Sequence, residues 1–156
     1  MRILLSDSEA TEALGRALAS TLPAQAVVHL QGDLGAGKST LARAMLRALG
    51  VQGAIRSPTY TLVERYPIPE GEAWHLDLYR IADAGELEFL GLDGDEPTLW
   101  LVEWPERGAG ALPTPDLVVD LSIEGAGRRA GLIPGNPAGE AWVTAVTAGH
   151  GVAGHS

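Results

Sequence analysis

QGDLGAGKSTLARAML, Gln31 to Leu46, contains the only lysine of the chain; every other one of its eleven Lys and Arg side chains is arginine. Gly32 to Ser39 fits the spacing G-x-x-x-x-G-K-[ST] at each fixed position. Glycines at this spacing let successive backbone N–H groups turn inward and form a concave nest for a polyphosphate. The helix that follows adds the positive end of its dipole. Lysine suits the slot where arginine does not: its compact ammonium on a thin stem reaches between two phosphates, whereas the planar guanidinium fork is too broad. The Ser39 hydroxyl is small enough to coordinate Mg²⁺.

The flanks of the loop support this reading. AVVHLQ, Ala26 to Gln31, leads in as an apolar strand. KSTLARAMLRAL leads out as a helix striped by Leu41, Ala44, Met45, Ala48 and Leu49, with Gly50 as its stop. A phosphate loop needs an acidic residue at the tip of a neighbouring apolar strand to serve the metal or the reacting phosphate. Glu103 ends LWLVE and Asp77 ends WHLD. A carboxylate at the end of a buried strand is costly unless paired or metal-bound, which favours both as site residues. His75 shares the face of Asp77 and reads as a core or supporting group, not a catalytic one. SPTYT, Ser57 to Thr61, lies where a threonine can sense the γ-phosphate or the metal, although Ser-Pro-Thr is also an ordinary turn.

The rest of the chain reads as one α/β unit. SDSEATEALGRALASTL is a first helix capped by Ser6 or Asp7, with Ala10, Leu14, Ala17 and Leu18 on one face. TYTLVERY and AWHLDLY form a hairpin across PIPEGE. In its second arm Trp74, Leu76 and Leu78 share one face, and His75, Asp77 and Tyr79 the other. DAGELEFLGL is a short helix ended by Gly91; TLWLVEW and DLVVDLSIEG are strands, and RRAGLI can pair with the latter. The hairpin makes the sheet mixed. Residues 1–133 are taken as the phosphate-loop domain. Residues 134–156 are taken as a partly flexible Gly/Ala/Pro-rich tail whose middle could be strand or helix, frayed over its last eight residues or so.

Composition narrows the chemistry. The 156 residues carry a net charge of −9 and no cysteine, so disulfides, zinc–thiolate sites and a thiol nucleophile are excluded. The opening apolar patch is too short for a signal peptide, and a cytoplasmic location is expected. The negative charge and the arginines scattered along the sequence argue against direct, tight binding of nucleic acid.

Together GDLGAGKST, SPTYTLVERY, HLDLYR, EFLGLD and LVEWPERG, in this order, resemble the TsaE (YjeE) family; the opening SEATEALGRALA is also similar. The resemblance covers about Ser6 to Leu132. It implies a three-layer phosphate-loop NTPase-like α/β fold with a mixed sheet. It implies ATP and Mg²⁺ as ligands, weak hydrolysis by the isolated protein, and TsaB and TsaD as partners in making threonylcarbamoyladenosine in tRNA, the tRNA being touched only through them. By the same resemblance Gly35, Ala36, Gly37, Lys38, Ser39 and Thr40 hold the phosphates, and Ser39 and Glu103 hold Mg²⁺. Asp77 lies beside the reacting phosphate, which with Glu103 and Lys38 makes the catalytic set, and Trp104 is a functional neighbour of Glu103. Thr11 and an arginine of GRRAG, Arg128 ahead of Arg129, contact the base or sugar side. Asp95 and Glu96 stand where the family commonly has an acidic residue straight after LD.

Two other functions fit a phosphate loop. A small-molecule kinase would carry an inserted lid with clustered arginines, and none stands out. A nucleotide-gated scaffold that does not hydrolyse its ligand differs from an ATPase only in turnover. With Arg56 and Arg80 as the nearest candidates for an arginine finger, slow turnover in isolation is expected.

Overall fold

Among the described residues, seven strands and three α-helices follow one another as β1 (Arg2–Leu5), α1 (Ser8–Ser20), β2 (Ala26–Gln31), α2 (Lys38–Ala48), β3 (Val63–Ile68), β4 (Gly71–Asp77), β5 (Leu99–Glu103), β6 (Leu117–Glu124), β7 (Gly127–Pro134) and α3 (Pro137–His150). The computed structural model describes residues 1–90 and 96–150. Gly91, Asp95 and residues 151–156, to which the sequence reading assigned a helix stop, an acidic position and a frayed end, lie outside the described residues. The strands form a single sheet in the order β1-β7-β6-β2-β5-β4-β3. β2 pairs parallel with β5 and β6, and β5 pairs parallel with β4. The pairs β3/β4, β6/β7 and β1/β7 are antiparallel. The sheet is therefore mixed, as the hairpin predicts.

The two faces of the sheet are covered differently. Leu14 and Leu18 of α1, Leu41 and Met45 of α2, and Trp142 and Val146 of α3 pack in one cluster with Val28, Leu30, Leu99, Leu101 and Leu132 of the strands. On the other face Trp74, Leu76 and Val102 pack with Leu78, Ile81 and Leu87 under short 3₁₀ helices at Ala84–Leu90 and Pro105–Gly108. The alternation predicted for the second arm of the hairpin is what separates these clusters: Trp74 and Leu76 point away from the helices, His75 and Asp77 toward them.

Asp7 caps α1, its Oδ1 accepting the Ala10 N–H at 2.8 Å. Gly15 lets α1 and α2 approach closely; a Cβ there would stand 2.6 Å from the Ala44 Cβ. Two elements depart from the sequence reading. The opening apolar patch is a strand, β1, with Ile3 and Leu5 buried. The hairpin is shifted: TYTL is a turn, and Pro67 and Ile68 belong to β3, paired with Glu72 and Gly71.

The segment expected as a partly flexible tail carries the end of β7 and then α3, the helix being one of the two alternatives left open for its middle. Trp142 of that helix is 2% exposed, and its Nε1–H is placed 3.2 Å from both the Leu18 carbonyl and the Thr21 Oγ. Asp116 fixes the start of α3. One of its carboxylate oxygens accepts the Asn136 amide at 2.7 Å and the other accepts the Val27 N–H at 2.7 Å. Asn136 in turn accepts the Gly139 N–H at 2.8 Å.

Candidate nucleotide site

The parallel strands β2, β5 and β4 end side by side, and their C-terminal tips carry the site. This is where an open α/β sheet offers a crevice. β2 runs into Gly32, whose φ of 143° and lack of a side chain are both required: a Cβ would lie 2.3 Å from the Leu121 carbonyl oxygen. Gly37, in the left-handed region at φ 105°, is the N-cap of α2 and supplies no side chain to the helix. The first N–H groups of α2 are thus left open toward the cleft, the arrangement that receives an anion.

Lys38 is 5% exposed. Its ammonium donates to the Gly32 carbonyl oxygen and sits 3.8 Å from the centroid of the Trp104 ring. Burial lowers its pKa from the ordinary 10.5, and the nearby carboxylates of Glu103, Asp77, Glu106 and Asp33 oppose that shift. Trp104 is itself unusual. It and Leu62 are the two non-glycine residues at positive φ among those described, and its ring also meets Tyr79, centroids 4.9 Å apart. A tryptophan held in the left-handed well is strained, and such strain gathers at functional sites.

Asp77 and Glu103 stand directly opposite each other in the β4/β5 register. Glu103 is 3% exposed and divides its carboxylate. Oε1 lies 3.5 Å from the Ser39 hydroxyl, and Oε2 lies 2.6 Å from His75 Nε2. Asp77 accepts the Tyr79 N–H at 3.0 Å on one oxygen and the Thr59 hydroxyl at 3.4 Å on the other. A cavity of about 250 Å³ is bounded by Gly37, Lys38, Ser39, Thr59, Asp77 and Glu103, with Trp104 at its wall.

A second cavity, of about 200 Å³, shares Gly35, Gly37 and Thr40 with the first and extends to Thr11 and Arg128. Arg128 donates from Nε to the Gly35 carbonyl at 3.1 Å. Consecutive residues of a strand point to opposite faces, so Arg128 and Arg129 cannot both reach the loop. Arg129 pairs with Glu124 instead.

Of the residues singled out from sequence, Thr11, Gly35, Gly37, Lys38, Ser39, Thr40, Asp77, Glu103 and Arg128 line these two cavities. Ala36 does not. Its side chain is buried in the core and its N–H is committed to the Asp33 carbonyl at 3.1 Å. Within SPTYT it is Thr59 that faces the cavity, whereas Thr61 bonds Glu64 at 3.1 Å. The arginines are less dispersed than the sequence suggests, since Arg16 of α1 and Arg43 and Arg47 of α2 line one groove of about 360 Å³ together with Glu12. The contact of His75 with Glu103 is the feature that sequence reasoning missed.

The donor set fits Mg²⁺. Adjacent corners of a Mg²⁺ octahedron are about 3 Å apart, and Ser39 Oγ and Glu103 Oε1 are 3.5 Å apart. Among the described residues no group of three or more His, Cys, Asp or Glu side chains could hold a metal ion alone. A bound Mg²⁺ would therefore complete its shell with phosphate oxygens and water, as this ion usually does.

A strand, a glycine-rich loop, an uncapped helix with its lysine, and two carboxylates on adjacent strand tips define a phosphate-loop protein. The chain belongs to the family described as Threonylcarbamoyl adenosine biosynthesis protein TsaE, whose model matches residues 5–130. It is 50% identical over 97 residues to the tRNA threonylcarbamoyladenosine biosynthesis protein TsaE of Haemophilus influenzae, a match covering 61% of each chain. It is 37% identical over 123 residues to the protein of that name from Aquifex aeolicus, covering 78% of this chain and 86% of the relative. The crystal structure of Bacillus subtilis YdiB superposes with a TM-score of 0.78 over 96% of this chain and 95% of that one, at 23% identity. That superposition takes in the region of α3, beyond the family match. Among the described residues no helix is long and apolar enough to cross a membrane.

Proposed function

We propose that this protein is the Mg²⁺-dependent ATPase component of tRNA threonylcarbamoyladenosine synthesis, acting in the cytoplasm with TsaB and TsaD homologues and meeting tRNA through them. The observation that carries the reading is the convergence of Lys38, Ser39, Asp77 and Glu103 on one cavity at the mouth of the loop. The names of the relatives support the pathway, and the net charge of −9 suits a subunit that leaves the tRNA to its partners.

In this reading the open N–H groups of α2 and the Lys38 ammonium receive the β- and γ-phosphates. Ser39 and Glu103 would hold Mg²⁺, which when bound neutralises phosphate charge and fixes the geometry of the chain of phosphates. Arg128 and Thr11 border the second cavity, where the ribose and base extend. Asp77 keeps its carboxylate oriented through Thr59 and Tyr79, and accepts a proton-bearing hydrogen bond from the attacking water. The water oxygen bonds to the γ-phosphorus as its proton passes to the Asp77 carboxylate, the bond from that phosphorus to the β,γ-bridging oxygen breaks, and the new charge on ADP falls beside Lys38 and the loop amides. Among the described residues no arginine lines this cavity, and Arg80 lies over the Tyr60 ring, its guanidinium carbon 4.5 Å from the centroid. Turnover by the isolated chain is accordingly slow, and partner binding would have to supply what is missing.

The test is calorimetry and turnover on Asp77→Asn with TsaB and TsaD homologues present. The expected result is retained Mg–ATP affinity with turnover and tRNA modification lost. Absence of Mg–ATP binding by the unmodified protein, or normal turnover by the variant, would overturn the reading.

A further inference from the structure

We propose that His75 is a positioning residue for the metal-side carboxylate: it holds Glu103 in the one orientation that presents Oε1 to Ser39 and the phosphate loop. The inference rests on the reading of this cleft as a Mg–nucleotide site. His75 and Glu103 are each 3% exposed and lie on the same face of neighbouring strands, with Nε2 and Oε2 2.6 Å apart. A free glutamate has three rotatable bonds, and the Lys38 ammonium offers an attractive alternative partner nearby. Engaging Oε2 from one strand over leaves Oε1 as the oxygen facing the Ser39 hydroxyl, 3.5 Å away.

The surroundings of the ring also fix its proton. Nδ1 is buried and has no hydrogen-bond partner among the described residues. A hydrogen placed there would be stranded, and the Nε2 lone pair would then face a carboxylate oxygen. Nε2 therefore carries the hydrogen of this contact and donates it to Glu103 Oε2. Groups that orient a metal-binding carboxylate typically change metal affinity ten- to a hundredfold when removed, as an order of magnitude.

The experiment compares His75→Leu, which removes the donor, with His75→Gln, whose amide can reach the place of Nε2. Affinity for a non-hydrolysable ATP analogue is measured by calorimetry with chelator and across a Mg²⁺ titration, and thermal melting reports the fold. The Leu variant is expected to keep its metal-free affinity within about twofold while needing about tenfold more Mg²⁺ for half-maximal enhancement. The Gln variant is expected to recover most of that loss. Should the Leu variant not fold, His75→Asn, whose amide is too short to reach Glu103, replaces it. An unchanged Mg²⁺ requirement in the donor-free variant, or a Gln variant as impaired as the donor-free one while equally folded, would overturn the proposal. Absence of any Mg²⁺ effect on the unmodified protein would instead overturn the reading of the cleft on which it rests.

Discussion

Thr11, Lys38, His75, Asp77 and Glu103 are the buried polar or charged side chains among the described residues, and all five lie at the loop end of the sheet. The interior between the helices and the rest of the sheet is apolar, with Trp142 among its largest side chains. The two regions contribute opposite things. Apolar packing stabilises the chain, by roughly 1.5–3 kcal/mol for each large side chain taken out of water. Charges gathered in a half-dry cleft do the reverse until a ligand arrives, because each has surrendered water for incomplete partners. Stability and binding should therefore separate cleanly by region.

The largest expected effect is in the apolar region. Trp142→Ala should cost about 3–5 kcal/mol in chemical denaturation, the usual toll for emptying a large core site. The fraction that remains folded should bind Mg–ATP as before. Reduced affinity in fully folded protein would erase the division between the regions. Next comes Lys38→Met, expected to lower ATP affinity about a hundredfold, or ~2.7 kcal/mol, with thermal stability equal or higher. A clear drop in melting temperature would mean that the buried ammonium is a net structural asset. Arg128→Ala should weaken nucleotide binding about tenfold, and Arg129→Ala less than twofold; equal losses would show that the strand alternation does not select between them.

The smallest effect concerns His29, half-buried on the face of β2 away from the helices, with Nε2 unpartnered among the described residues. Burial lowers its pKa below the ordinary 6.5, against the raising effects of the Pro113 backbone hydrogen bond and Glu106. The unfolded chain then takes up the proton first as pH falls. Stability is intact above 6.5 and declines as pH drops through that value toward the lowered native pKa. Denaturation of His29→Gln at pH 7 and pH 5 should show a shallower loss than the parent chain; identical losses would locate the acid sensitivity elsewhere.

What the sequence disclosed, and what it withheld, follows the same physical divide. The loop, its lysine and the helix behind it are local: glycine spacing and a 3.6-residue stripe are written over the consecutive positions from Gly32 to Gly50. Asp77 and Glu103 were legible because each ends an apolar run. The partnership of His75 with Glu103 was not, because it depends on the parallel register of β4 and β5, which no local pattern encodes. β1 is four residues long and gains meaning only by pairing with β7 at the far end of the chain. For α3 the composition left strand and helix both open, because the burial of Trp142 that selects the helix is decided by α1. Ala36 was carried along with its neighbours in the motif, yet the tightness of the turn sends its side chain inward.

The ammonium of Lys38 already holds the Gly32 carbonyl and rests on the Trp104 ring. On the proposed reading a triphosphate would have to displace these companions of the lysine, and the favourable contacts it made would be offset by those it broke. Capture should therefore proceed by exchange, more slowly than encounter alone would dictate, and the indole emission of Trp104 should change as the cation lifts away, giving the event its own optical clock.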